Sequence, residues 1–244
     1  MKLPKTTTIL VDKHDKIIGS KNIVDVHMKG KSQAHRGFSA FIFQKNPETK
    51  NLELLIQQRS SKKLVNPRFW TNSVSSHPFL NELSFTDPIL DCKNFLIERI
   101  GYELGIDDFV VKDKLFLYNR IFFKTGLFSN RLYSILDSNV KPQPINTDIL
   151  NSATQIETLY PIPKGDTQNM IYWQDHRMEY VFFALIKNFT ICKNSDEIEV
   201  CHFISEDELR TFRLNYQFSY FFTSYIREFN VFEIMENRIR NSSK

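Results

Sequence analysis

The residues of this chain that could do chemistry crowd into one stretch, Ile56 to Pro78, which reads IQQRSSKKLVNPRFWTNSVSSHP. Arg59, Lys62 and Lys63 come first, an aromatic pair follows, and a polar loop ends in His77. Arg and Lys neutralise phosphate oxygens, and neutral imidazole ligates a borderline divalent metal, so this order of residue types suits a diphosphate held beside a metal ion. The same letters also describe a solvated charged turn. The three cysteines, Cys92, Cys192 and Cys201, are too few and too scattered for a disulfide framework or a four-thiolate zinc site, which favours a reducing compartment. Cys192 and Cys201-His202 have no partner at metal spacing. His14 falls in a turn, and His176 alternates away from its neighbours on a strand, so both read as structural or solvent-exposed.

The elements that must position these residues follow from apolar patterning. TTTILVDKHDKII (Thr6 to Ile18) reads as a hairpin around Lys13 to Asp15, because β-branched residues flank a charged break. GFSAFIF (Gly37 to Phe43), a polar turn and LELLIQQR give two central strands. A loop rich in Pro, Ser and Asn, Ser60 to Pro88, leads into a helix over Ile89 to Leu104, with Gly105 as its stop signal. FVVKDKLFLYNRIFFK (Phe109 to Lys124) and MEYVFFALI (Met178 to Ile186) are strand-like, and the weakly patterned residues 126–168 between them read as an insertion. Ser205 with Glu208 signals a helix starting near Glu206, and the aromatic tail from Tyr216 to Ile239 has a helical rhythm that closes a core. Strands interleaved with a central and a terminal helix predict one α/β (α+β) domain over 1–244, a mixed sheet flanked by helices.

Composition narrows the class further. The 244 residues, 41% hydrophobic and 25% charged, exclude a disordered or collagenous chain. A net charge of +4 selects neither nucleic acid nor any other partner. No apolar run approaches the roughly 20 residues of a membrane span, and MKLPKTTTIL lacks a signal-peptide pattern, so a cytoplasmic or nuclear location is expected.

The Ile56 to Pro78 stretch resembles the type I isopentenyl diphosphate isomerases, a branch of the Nudix fold. The family pattern is met by Gln58-Arg59, Lys63, Trp70-Thr71-Asn72 and His77-Pro78, with further anchors in HRGFSAFIF (His35 to Phe43), YELGI (Tyr102 to Ile106) and WQDHRMEYVFF (Trp173 to Phe183). The resemblance implies a Nudix-like sandwich with an extra N-terminal hairpin and an aromatic-rich C-terminal helix. It implies an enzyme that moves a double bond in a five-carbon diphosphate, using a cysteine and a glutamate that face each other across the substrate. It implies a divalent ion, Mg2+ or Mn2+/Zn2+, with His27, His35 and His77 as histidine ligands, Asp175 on the acidic strand, and Glu103 holding a second magnesium. Arg59, Lys63 and Arg99 match the cations that contact the diphosphate.

The chain departs from this pattern at the chemistry itself. Ser75 stands where the cysteine is expected, and Arg177 where the second glutamate of the acidic strand is expected. A serine needs an adjacent base to act at all. With an effective dielectric near 20, unit charges about 5 Å apart interact by roughly 3 kcal/mol, so Arg in place of Glu before a divalent ion shifts the local energy by on the order of 10 kcal/mol. Glu179 lies two residues on, on the same strand face, as a replacement carboxylate. Arg68 follows Pro67 where the family often has glycine, and Phe218 to Phe222 replaces a region with a substrate-facing tryptophan. The expectation is therefore a homologue without isomerase activity, retained to bind a diphosphate ligand or, through residues 126–168, a protein or ribonucleoprotein partner. The alternative is a working isomerase or altered isoprenoid-diphosphate enzyme with Ser75 and Glu179 or Asp175 as its proton-transfer groups.

Overall fold

In the computed structural model of this chain, residues 7–27, 32–63, 66–80, 87–125, 131–135 and 175–242 are described. Contacts divide the chain into two units, one made of Met1–Arg36, Phe79–Leu83 and Asn119–Glu179, the other of Gly37–Pro78, Ser84–Tyr118 and Tyr180–Lys244.

In the first unit the expected hairpin is present as β1 (Thr7–Val11) and β2 (Ile17–Asn22), paired antiparallel. Its turn is held by Asp15, which adopts a φ of 64° and accepts from Arg36 Nε at 2.9 Å. A short helix, α1 (Ile23–His27), follows, its free amide at Val24 capped by Asn22 Oδ1 at 2.9 Å. β3 (His35–Lys45) begins in this unit, where Leu10 of β1 pairs with His35. β7 (Phe116–Thr125) ends here against β8 (Arg131–Ile135), with Arg120 opposite Ile135. β8 falls within 126–168, the segment read as an insertion; the rest of that segment lies outside the described residues. β9 (Asp175–Leu185) starts in this unit and continues into the other.

The second unit carries the order β10-β4-β3-β9, with β4 (Leu52–Arg59) and β10 (Ile198–Ile204) antiparallel. β5 (Trp70–Thr71) pairs with β4, and β6 (Val74–Ser76) with β3, so the polar loop after Ser60 is stitched onto the sheet. The helix α2 (Pro88–Leu104) has Asp87 as N-cap, accepting from Ile89 and Leu90 amides, and Pro at its first position. Gly105 ends it at a φ of 65°, and a Cβ there would lie 2.5 Å from the Cys192 carbonyl oxygen, so only glycine fits. Phe109, expected in a strand, lies instead in α3 (Asp108–Val111), and β7 starts later.

The aromatic tail forms three helices, α4 (Glu206–Asn215), α5 (Tyr220–Glu228) and α6 (Val231–Ser242). Ser205 and Glu208 make the expected capping box. Phe222 and Tyr225 pack on Phe41, and Phe232 packs on Phe43, so the tail closes the core. Phe218, Phe221 and Phe222 are buried with it. Among the described residues no helix is long and apolar enough to cross a membrane.

Candidate functional site

Two clusters of ionisable side chains emerge, one in each unit. The first is built from α1, the start of β3 and the start of β9. His27 closes α1 by donating Nδ1–H to the Ile23 carbonyl at 2.7 Å, and His35 does the same to Gln33 at 2.9 Å. Anchoring both Nδ1 atoms fixes the tautomer and leaves each Nε2 as the ligating nitrogen. Both Nε2 atoms face Asp175 Oδ1, at 3.6 Å and 3.8 Å. The ligand atoms of His27, His35 and Asp175 all lie within 4.8 Å of one another, and this group could hold a metal ion. Burial, with the neighbouring His27 and Arg177 charges, pushes His35 down to about 3, so it stays a neutral imidazole.

Arg177 is the feature that distinguishes this cluster. Successive residues of a strand alternate faces, so Asp175, Arg177 and Glu179 project together. The Arg177 guanidinium grips Asp175 with both prongs, Nε to Oδ1 at 2.5 Å and Nη2 to Oδ2 at 2.5 Å, and reaches Glu179 Oε2 at 3.4 Å. Burial by itself would raise the Asp175 carboxyl, but the Arg177 charge and the two histidines more than offset this and hold it well below the usual range. Glu179 is fully buried. The histidines suit a divalent metal; the carboxylates are already neutralised by a guanidinium that competes for the same oxygens.

The second cluster lies in the larger unit. Gln57, on β4, donates to Glu103 Oε2 at 3.1 Å, and Arg99, one turn before Glu103 on α2, donates to its Oε1 through Nε at 3.1 Å. Arg99 Nη2 also lies 3.3 Å from Glu197 Oε2, the oxygen that Lys63 Nζ bonds. Arg99 covers the Tyr102 ring, its guanidinium carbon 4.9 Å from the centroid. Lys62 pairs with Asp196, both exposed. Arg59 ends β4 opposite Ile198. The expected diphosphate cations Lys63 and Arg99 are thus gathered, and Glu103 sits among them with both oxygens hydrogen-bonded.

Ser75 occupies a third environment, also in the larger unit. It pairs across the ladder with Ser39, and their hydroxyls lie 2.7 Å apart. Its hydroxyl donates to Asn72 Oδ1 at 3.0 Å. Asn72 is itself fixed by donating to the Ala40 and Val74 carbonyls. None of these partners is a base. His77 follows β6 and is half-buried. Arg68 holds a φ of 64°, a left-handed conformation glycine adopts freely, which is the physical reason a glycine is expected after Pro67. The Cys201 thiol is pushed up to about 11 by burial, so it is no thiolate near neutrality.

Sequence reasoning missed Gln57, Asp196 and Glu197. Only the matching doublets Lys62-Lys63 and Asp196-Glu197 carry a signal, and they are 134 residues apart.

No family model matches the chain. Among curated proteins, isopentenyl-diphosphate Delta-isomerase I of Clarkia breweri is 34% identical over 151 residues, 56% of this chain and 50% of the relative. The chloroplastic isomerase I of Arabidopsis thaliana is 26% identical over 207 residues, 83% of this chain and 55% of the relative. The chain thus spans about half the length of these two. Two solved structures overlay loosely, a Deinococcus radiodurans protein at a TM-score of 0.47 and 12% identity, covering 87% of this chain and 92% of that one, and the NUDIX domain of Shewanella oneidensis NrtR with ADP ribose at 0.40 and 9%, covering 83% and 86%. Isopentenyl-diphosphate Delta-isomerase I of Camptotheca acuminata is 32% identical over 172 residues, 65% of this chain and 71% of the relative. With that share of a whole isomerase matched at that identity, this chain belongs to the isopentenyl-diphosphate Delta-isomerase family.

Proposed function

We propose that this chain is an isomerase-like protein that binds a diphosphate without isomerising it. The observation that carries the reading is the Arg177 guanidinium closed on Asp175 and Glu179 in a buried cluster. A group that must take or give a proton needs a carboxylate with a proton affinity near the working pH, and Arg177 drives Asp175 far from it. Ser75, at the place where the family pattern has a cysteine, has a hydroxyl and an amide oxygen as partners, and neither is a base that could activate it. The ligand would be held by Arg59, Lys63 and Arg99, whose chemistry matches phosphate oxygens. A divalent ion, Mg2+, Mn2+ or Zn2+, would use His27, His35 and Asp175, with His77 added by the sequence pattern, and its binding would require Arg177 to release Asp175.

The test is direct. Purified protein incubated with isopentenyl diphosphate and magnesium or manganese should yield no dimethylallyl diphosphate, while calorimetry should register diphosphate binding. Turnover that Ser75→Ala abolishes would overturn the reading and make Ser75 with Glu179 or Asp175 the working pair.

A further inference from the structure

We infer that Glu197 is an internal anion that occupies the Lys63–Arg99 cradle, so that a diphosphate binds by exchanging with it. The inference rests on the proposed diphosphate reading of those cations and adds a gate to it. A single oxygen, Glu197 Oε2, takes both Lys63 and Arg99, which is how one phosphate oxygen would bridge them. The carboxylate is delivered there by backbone anchored on both elements that carry the cations. Cys192 and Asn194 amides donate to the Leu104 and Glu103 carbonyls at the end of α2, at 2.8 Å and 2.9 Å. The Glu197 carbonyl accepts from Ser60, just past β4, at 2.9 Å, and the same serine carbonyl accepts from the Lys63 amide at 3.1 Å.

The position is suited to exchange rather than to permanent closure. The side chains of Lys63, Arg99 and Glu197 remain 23%, 21% and 16% exposed, so a solute anion has access to them. Burial by itself would raise the Glu197 carboxyl, but Lys63 and Arg99 offset this and hold it low, so it stays ionised and competes at neutral pH. Arg99 keeps Glu103 whichever anion is bound: Nη2 is shared between Glu103 and Glu197, but Glu103 Oε1 also takes Arg99 Nε at 3.1 Å and its Oε2 has a second donor in Gln57. What changes hands is the Lys63 ammonium and one Arg99 nitrogen.

Isothermal calorimetry with inorganic diphosphate on the full chain tests this. Glu197→Gln keeps the shape and removes the charge, and should bind diphosphate about tenfold more tightly, a change worth about 1.4 kcal/mol; Glu197→Asp, with the charge retained, should stay close to the unmodified protein. If the unmodified protein binds and Glu197→Gln binds equally or more weakly, the gate is wrong and the diphosphate reading stands. If neither binds, the diphosphate reading itself falls and takes the gate with it. A measurement without mutation guards against a misfolded variant: adding diphosphate to the unmodified protein should speed amide exchange over residues 194–198 as the latch releases, and slowed exchange there would overturn the proposal.

Discussion

The Arg177 cluster and the Glu197 network meet the same electrostatic problem with opposite signs. In the first, one cation sits between two carboxylates; in the second, one carboxylate sits between two cations. Their depth differs. The Arg177, Asp175 and Glu179 side chains are 7%, 12% and 0% exposed, whereas Lys63 and Glu197 keep 23% and 16%. Charge interactions strengthen as water is excluded, so the first arrangement is costly to open and the second is open to exchange. A buried guanidinium neutralises its carboxylates where water cannot. A carboxylate that keeps contact with water only holds a place.

That contrast can be broken most severely at Arg177. Arg177→Ala leaves Asp175 and Glu179 buried without their cation, and urea denaturation should register a loss of about 3–5 kcal/mol. A loss under about 1 kcal/mol would show that the carboxylates reach water or share a proton, and the cluster would then be no deeper than its counterpart. Arg177→Glu sharpens the same point by elemental analysis. The unmodified protein should retain less than one tightly bound transition metal per chain, and the variant should gain one; full occupancy before mutation would sink the idea that Arg177 competes with an ion for Asp175.

At Glu197 the expected effect is smaller and depends on pH. Its folded-state carboxyl lies below the ordinary value of 4.5, so its contribution to stability is fully present above that value and is lost as pH falls through the lower folded one. The difference in unfolding free energy between the unmodified protein and Glu197→Gln should shrink by about 0.2–1 kcal/mol on acidification through this window. An unchanged difference would mean that Lys63 and Arg99 do not hold the charged form. Smallest of all, Lys62→Ala breaks a pair that lies in water on both sides and should leave the melting temperature where it was.

Much of this fold is legible locally. β-branched runs around a charged turn mark the first hairpin, Ser205 with Glu208 marks a helix start, and Gly105 marks a helix end. Each signal acts within a few residues, which is why it survives in one dimension. β10 escaped because it ends the strand order of the described sheet, with exposed or partly exposed residues between its buried ends, and it is recognised by its pairing to β4. Phe109 was misplaced for the converse reason: an apolar triplet beside Asp107 and Asp108 reads as a strand until the helix terminates at Val111.

By itself the sequence determined which groups are available: histidines, Arg59, Lys63 and Arg99 where the resemblance to the isomerases implies ligands, and Ser75 and Arg177 where it implies a proton-transfer pair. The twofold alternation of a strand already placed Asp175, Arg177 and Glu179 on one face. The tertiary structure alone decided who partners whom. It showed that Arg177 takes both carboxylates, that Ser75 meets a serine and an asparagine, and that Lys63 and Arg99 share a glutamate 134 residues from the lysine. Long-range pairing depends on chain closure and burial, and neither is written in the spacing of neighbouring residues.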